Sequence, residues 1–293
     1  MRDVNSTSIV IVNKDERTLS DTLQALKAFV GRTVCEVLVV DASNHALDDI
    51  RLANEWARWF DYVQPPGVHS TIAQQRNIGV RCSEGDIIVF TDSGCLPEDG
   101  WLDRLLEPIL VEGESVSCGP ARAIGKSVYQ WMGNPDDVYV PKATTINMAF
   151  RREAFEAVGG FDESFGSGED IDFTWRLTDY GYRLRWVHDA VVQHDFGTWS
   201  RQVRRSFFYG KGTCRLLRKH PHRIVEATKQ NSVPVVYALF LLGLPLTFKW
   251  RRYPLLLLLP IWRYRNDESQ WLVILDHLFQ GVGALYELVR PGT

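Results

Sequence analysis

Short apolar runs that end in a polar residue recur through the first ninety residues: TSIVIVN at 7–13, EVLVVDAS at 36–43 and DIIVFTDS at 86–93. Each is rich in β-branched side chains and none alternates strictly, so they fit strands buried on both faces, as in a parallel sheet. Between them, LSDTLQALKAF places Leu19, Leu23, Leu26 and Phe29 at helical spacing, with Ser20 and Asp21 near its start. HSTIAQQRNIGVRCS reads as a second helix. Strands alternating with helices predict a doubly wound α/β sheet. Ligands of such sheets sit beyond the carboxyl ends of the strands, which directs attention to Asn13 to Glu16, Asp41 to Ser43 and Asp92 to Gly94. No Walker sequence and no GxGxxG follows these runs, which weighs against a nucleoside triphosphatase or a dehydrogenase.

The periodicity changes near residue 200. Arg201 to Arg223 is rich in arginine and lysine and holds no acid. It is followed by sixteen uncharged residues from Val233 to Phe248, the basic KWRR, and ten more apolar residues from Tyr253 to Trp262. Each run is shorter than the roughly twenty residues of a straight crossing helix, so an interfacial or re-entrant hairpin is expected. Trp250, Tyr253, Trp262 and Tyr264 lie at the run edges beside Lys249, Arg251, Arg252, Arg263 and Arg265, as in the aromatic and cationic belt of a bilayer surface. The basic stretch would favour anionic headgroups on the cytoplasmic face of a membrane. WLVILDHLFQGVGALYELV intersperses Asp276, His277, Gln280 and Glu287 among apolar residues and reads as an amphipathic helix. The competing expectation is a compact helical subdomain or oligomer contact that buries these runs in protein. The predicted divisions are a catalytic α/β domain over 1–200, a basic linker helix over 201–232 and an apolar region over 233–293.

Composition narrows the class. With 293 residues, 45% hydrophobic and 24% charged, the chain is long enough for one large α/β domain with an appendage, or two small domains. A net charge of -3 argues against a general grip on nucleic acid. The five cysteines, Cys35, Cys82, Cys95, Cys118 and Cys214, have no CxxC spacing and cannot all pair. They point to a reducing compartment and read mostly as buried thiols. The stretch MRDVNSTSIVIV shows no secretory pattern.

Five blocks, SIVIVNKDE, EVLVVDAS, QQRNIGVRCSEGDIIVFTDSGCLPEDGWL, INMAFRREAFEAVGGFDESF and GEDIDFTWRL, occur in the order and approximate spacing of family 2 glycosyltransferases. Over residues 7 to about 196 the chain resembles a GT-A fold enzyme: a Rossmann-like, mostly parallel sheet with flanking helices, here followed by a C-terminal apolar helical segment. The resemblance implies a nucleotide-sugar donor, usually a divalent cation (Mn2+ or Mg2+), and inversion at the anomeric carbon.

The resemblance also implies roles. The end of the first strand and the acid after the second hold the nucleoside in this family, at positions matching Asn13, Glu16 and Asp41; a carboxylate can accept from the imide N–H of uracil. Arg76 and Asn77 match positions near the donor phosphates. Asp41 as a helix-capping acid and Arg76 as a surface cation are the plainer readings. Asp92 matches the first acid of the family's DxD, while Gly94 stands where the second belongs. Two acids there grip a hard ion that neutralises the diphosphate. Three explanations of the missing acid compete: an ion held by Asp92, the diphosphate, water and a distant histidine; a metal-independent site using cations; or a degenerate copy. His194, at the end of the final strand, is the candidate histidine, with His188 as its rival.

The ED pair of GSGEDIDFTWRL matches the family's base. Inversion requires a carboxylate opposite the leaving diphosphate to take the acceptor's proton; Asp170 fills that role, with Glu169 positioning the acceptor. Arg176 either orients the helix or meets phosphate, and the acids would in any case suit a helix start. Asn147 and the segment of Gly159, Gly160 and Asp162 resemble the donor-sugar and acceptor segment, although the glycines equally suit a helix C-cap and turn. The expected function is an inverting transfer of a sugar to a hydroxyl of a lipid-linked glycan or other glycoconjugate acceptor. Two other classes stay open: a non-catalytic GT-A-like binding or scaffold subunit, motivated by Gly94, and a soluble enzyme acting on a protein or small molecule.

Overall fold

The computed structural model describes residues 6–31, 34–67, 71–125, 137–263 and 270–290. Two compact units divide the chain: Met1–Glu163 with Glu169–Phe196, and Ser164–Gly168 with Gly197–Thr293.

In the first unit the strands are β1 (Thr7–Asn13), β2 (Val34–Asp41), β3 (Arg58–Asp61), β4 (Ile87–Thr91), β5 (Cys95–Pro97), β6 (Val116–Cys118), β7 (Ala121–Ala123), β8 (Tyr139–Val140), β9 (Asn147–Arg151), β10 (Leu184–Trp186) and β11 (Val192–His194). The helices are α1 (Leu19–Leu26), α2 (Asp48–Ala53), α3 (Ile72–Cys82), α4 (Trp101–Leu110), α5 (Arg152–Ala157) and α6 (Glu169–Tyr180). An eight-stranded sheet runs in the order β3-β2-β1-β4-β9-β6-β10-β8, and a small sheet in the order β5-β11-β7. β1, β2, β3 and β4 are mutually parallel where they pair, while β9 runs antiparallel between β4 and β6. The doubly wound expectation therefore holds for the first half, and the antiparallel insertion makes the sheet mixed.

The central strands β1, β2 and β4 carry apolar side chains on both faces because helices cover both. Ile9, Ile11, Val37, Val39, Ile87 and Val89 share one core with the leucines of α1 and with Trp101, Leu102 and Leu105 of α4. The alternate residues Val10, Ile88 and Phe90 share the other core with Ala73 and Val80 of α3, Phe155 of α5 and Phe173 of α6. This is the period of two expected of a strand. Each such side chain taken fully from water contributes roughly 1.5–3 kcal/mol. Phe173 anchors α6 in an aromatic cluster, with ring centroids 4.5 Å from Phe161 and 5.5 Å from Phe150. Because Glu169 lies four residues before Phe173, the two share a helix face, and the anchor fixes where the ED pair points. α3 lies close on β1 because Gly79 has no side chain; a Cβ there would stand 2.3 Å from Val10 Cγ1.

Several boundaries differ from the sequence expectation, β4 at Ile87–Thr91 and α3 at Ile72–Cys82 among them. The helix predicted over 19–29 tightens into a 3-10 turn at Lys27–Phe29, where Phe29 meets Trp101 edge-on at 6.0 Å. The second strand ends at Asp41 rather than Ser43 because the chain turns there, Ser43 N–H donating to Asp41 Oδ1 at 3.3 Å. Among the four cysteines whose side chains are described, Cys95 and Cys118 are buried and Cys82 and Cys214 half-buried; all are free thiols. The side chain of Cys35 lies outside the described residues.

The second unit is helical: α7 (Trp199–Lys219), α8 (Ile224–Gln230), α9 (Val233–Leu242), α10 (Leu258–Arg263) and α11 (Gln270–Val289), with 3-10 turns at Pro221–Arg223, Leu244–Phe248 and Tyr253–Leu257. The basic stretch is not a separate linker; most of it forms α7 of this unit. Prolines in the first turns of α9 and of the two 3-10 segments after it keep the apolar elements short. Tyr253 folds the hairpin back, donating its hydroxyl to Phe240 O at 2.9 Å and stacking on that ring. Of the expected belt, Tyr264, Arg265 and the side chain of Arg263 lie outside the described residues.

Candidate functional site

The carboxyl ends of β1, β2 and β4 are joined by side chains. Asn13 Nδ2 donates to Asp41 Oδ1 at 3.0 Å, and Ser43 Oγ donates to the same oxygen at 2.6 Å. Asn13 Oδ1 in turn accepts from Ser93 Oγ at 2.7 Å. Register places Asn13 opposite Asp41 in the parallel β1–β2 pair. Parallel strands of equal polarity deliver their last residues to one edge, so three separate sequence positions become neighbours. Nothing in residue type alone distinguishes Ser43 and Ser93 as connectors; the only signal is their place one or two residues beyond an acid that ends a strand.

Asp92, beside Ser93, leads to the second half of the network. Arg76 on α3 donates through Nη1 to Glu169 Oε1 at 2.5 Å, and its Nη2 lies 3.7 Å from Asp92 Oδ1. Its guanidinium also lies over the rings of Phe161 and Phe90, at 5.6 Å and 5.9 Å. Arg76 is 5% exposed and is no surface cation. Burial opposes its charge, but Glu169, then Asp92 and Asp170, outweigh that cost and hold it protonated.

Asp170, the next residue, accepts from Ile171 N–H at 2.8 Å. Burial, and then the charge of Glu169, push its carboxyl up to about 7, against the opposing pull of Arg76. Two adjacent acids with one buried arginine thus divide the work: Glu169 is bound to the cation, and Asp170 is held close to neutrality, where a proton can be taken or returned.

Gly94 has φ +86° and its N–H donates to Thr22 Oγ1 at 2.8 Å. The left-handed backbone explains why glycine occupies the position of a second acid. A Cβ there would stand 3.0 Å from Thr18 Oγ1 and 3.7 Å from His194 Cε1, so His194 is a neighbour of the missing side chain. β11 pairs His194 with Cys95 of β5, and Cys95 Sγ lies 3.5 Å from His194 Nδ1. A ligand role for His194 therefore falls to Nε2. The donor set fits a divalent cation of the manganese class: Asp92 offers hard oxygen at 36% side-chain exposure, against 7% for Glu169, and the imidazole of His194 stands on the same side as the open place at Gly94. His188 is otherwise employed, its Nδ1 accepting from Trp186 Nε1 at 3.0 Å and its Nε2 lying 3.1 Å from Asp137 O.

Three expected donor-binding residues are instead consumed by the scaffold. Asn147 is fully buried: its Oδ1 accepts from Trp101 Nε1 at 2.8 Å, and its Nδ2 donates to Pro120 O and Ala190 O at 2.9 and 2.7 Å. Asn77 donates to Phe161 O and Glu163 Oε1 and accepts from Phe161 N–H, which ties α3 to the 161–163 loop. Arg176 spends Nε on Asp172 Oδ2 at 2.8 Å, and Nη1 and Nη2 on the carbonyls of Val158 and Gly160. Each correction has the same cause: the side chain is spent on main-chain groups of the scaffold, outside the network at the strand ends. Gly159 and Gly160, at φ +75° and +72°, form the C-terminal turn of α5 that Arg176 clamps. Glu16 is half-buried in the turn that opens α1, its carbonyl accepting from Leu19 N–H.

Comparison with known proteins agrees with this architecture. The family model described as "Glycosyl transferase family 2" matches residues 7–161, and that described as "Glycosyl transferase family group 2" matches residues 110–283. A pre-mycofactocin glycosyltransferase of Mycobacterium tuberculosis is 31% identical over 191 residues, covering 58% of this chain and 40% of its own length. Glycosyltransferase AglE of Haloferax volcanii is 31% identical over 147 residues, covering 47% of this chain and 48% of its own. The aligned region thus spans less than half the length of these two relatives. Among solved structures, the mannosyltransferase PcManGT from Pyrobaculum calidifontis, in complex with GDP-Man and Mn2+, aligns with 100% of this chain and 89% of its own at TM-score 0.67 and 16% identity. GalNAc-T7 with UDP, GalNAc and Mn2+ aligns with 67% of this chain and 44% of its own at TM-score 0.56 and 18% identity. At such identities the likeness speaks for the fold, a GT-A sheet. Matches that each cover more than half of the chain, together with this fold, place the protein plainly: it belongs to glycosyl transferase family 2.

Proposed function

We propose that the protein is an inverting glycosyltransferase that moves a sugar from a nucleotide-sugar donor to a hydroxyl of a lipid-linked glycan or related glycoconjugate at the cytoplasmic face of a membrane. The observation that carries the transferase reading is the series that runs from Asp41 through Asn13 to Ser93 by side-chain contact, on to the adjacent Asp92, and from there through Arg76 to Glu169 and the adjacent Asp170. The series then holds polar groups for a nucleoside at one end and, at the other, a carboxyl whose pKa is about 7.

In this mechanism Asp41, oriented by Asn13 and Ser43, receives the base and ribose, hydrogen-bonding groups that a short polar turn can offer. Asp170 takes the proton from the acceptor hydroxyl as that oxygen attacks the anomeric carbon from the side opposite the diphosphate, which is the geometry of inversion. Glu169, held by Arg76, keeps Asp170 oriented and its carboxyl raised. Asp92 and His194 would hold a divalent cation, which when bound neutralises charge on the leaving diphosphate. The membrane and lipid-linked parts of the reading are supported by the exposed apolar residues of α9 and α11, Leu239, Leu242, Phe279 and Leu288 among them.

The test is a mass-spectrometric screen of UDP-, GDP- and dTDP-sugars against a lipid-extract acceptor pool, run with wild type and Asp170→Asn in parallel. Turnover by wild type, and its loss in the variant with donor binding retained, is the expected result. Equal turnover by both would remove Asp170 as the base.

A further inference from the structure

The helical unit buries acids while it exposes many of its large apolar side chains. Asp276 and Glu287 of α11 are fully buried, and both face α7. Asp276 accepts from Gln202 and Ser206 of α7 and from Gln280, and Glu287 is held by Arg215 at 3.0 Å and Arg218 at 3.2 Å. The packing is tight enough that a Cβ on Gly210 would stand 1.9 Å from Gln280 O, and one on Gly283 the same distance from Phe207 O. Large apolar side chains point outward instead: Leu239 is 62% exposed, Phe248 94%, Leu259 65%, Trp262 66% and Trp271 60%. Water penalises this arrangement on both counts, since it exposes apolar area and buries charge. Hydrocarbon rewards it on both, because polar groups there must be satisfied within the protein. At the tip between the two apolar 3-10 segments, Lys249, Arg251 and Arg252 are exposed beside Trp250, the residue types that settle at headgroup level.

The same contacts decide between crossing the bilayer and lying in it. Trp271–Val289 is long and apolar enough for a crossing helix. Yet α11 runs parallel to α7, Asp276 beside Gln202 at one end and Glu287 beside Arg215 at the other. A crossing α11 would carry α7 with it, together with Arg204 near one end, Lys211 at the middle and Lys219 at the other end. α9, with 10 residues, reaches only about half of the roughly 30 Å hydrocarbon core.

We propose that this unit lies in the plane of one leaflet of an anionic bilayer, with the outward apolar residues of α9, α10 and α11 in the acyl boundary and the basic tip at the headgroups. This deepens the membrane part of the proposed function and rests on it, but not on the transferase chemistry.

The test is flotation of the full chain with phosphatidylcholine vesicles with and without phosphatidylglycerol, alongside thermal stability and nucleotide binding. Flotation with both, stronger by roughly tenfold or more on the anionic vesicles, is expected. Phe248→Asp with Trp250→Asp should abolish flotation while the melting temperature and nucleotide binding stay unchanged. Arg204→Cys and Lys219→Cys should both gain labelling over the parent chain when an impermeant maleimide is added outside the vesicles. Protection of one of them would show that α7 and α11 cross, and would overturn the in-plane placement. A wild type that stays in the dense fraction, whether as a monomer or as an oligomer that Phe248→Asp dissociates, would overturn the bilayer as the occupant. Nucleotide binding on the same samples reports separately on the transferase reading.

Discussion

Arg76 and Glu169, ninety-three positions apart, form an ion pair whose side chains are only 6% and 7% exposed. The pair joins α3 to the start of α6, and the same guanidinium lies 3.7 Å from Asp92. Removing one member of a buried pair leaves an uncompensated charge, at a cost of about 3–5 kcal/mol. Arg76→Ala is therefore expected to lower stability by that amount in chemical denaturation, and Arg76→Ala combined with Glu169→Gln to recover part of the loss. A double-mutant cycle with no interaction energy would show the pair to be uncoupled.

Asp170 gives stability and activity opposite pH dependences. Its folded pKa, about 7, lies above the unfolded value. Its contribution to stability is therefore complete below about 4, the ordinary range of an aspartate, and is lost as pH rises through 7. A base works only after losing its proton, so kcat/KM should rise with pH through the same region and then level off. In Asp170→Asn the loss of stability across that window should disappear, and turnover should fall by about 10²–10⁴-fold. Calorimetry and a pH–rate profile on the two proteins check both signs.

Gly94 should resist substitution for backbone reasons. At φ +86° an added side chain is strained, and Gly94→Ala is expected to cost about 1–2 kcal/mol. Asp92→Asn and His194→Ala leave that backbone alone and should instead weaken Mn2+-dependent binding of a nucleoside diphosphate by at least about tenfold. Titration calorimetry with and without Mn2+ separates the two effects; equal binding by all variants would exclude Asp92 and His194 as ligands.

Asn147→Ala is expected to act on folding alone. It leaves Trp101 Nε1 and the carbonyls of Pro120 and Ala190 without their partner, and each buried group so orphaned costs about 1–3 kcal/mol. The melting temperature should drop sharply while KM for the donor, measured on the folded fraction at low temperature, is unchanged. A raised KM would return Asn147 to the binding site.

The strands and helices of the first half were legible because helices cover both faces of the sheet, and that double burial writes continuous apolar runs into TSIVIVN and DIIVFTDS. Proximity of Asp41, Asp92 and Asp170 followed from the strand-end rule together with family resemblance. What residue type could not reveal was which polar side chains remain available. Asn77, Asn147 and Arg176 are as suited to a ligand as Asn13 or Arg76; only the fold sets main-chain carbonyls around the first three and the site's own side chains around the other two.

The sequence by itself determined the family, the parallel core and the separation of an acidic site from a basic, apolar tail, because these depend on composition and order along the chain. The tertiary structure alone decided that Glu169 is bound by Arg76 while Asp170 is held near neutrality, and that the acids of α11 turn inward against α7. Ionisation and the facing of a helix depend on neighbours brought from distant positions, and no local stretch of residues contains them.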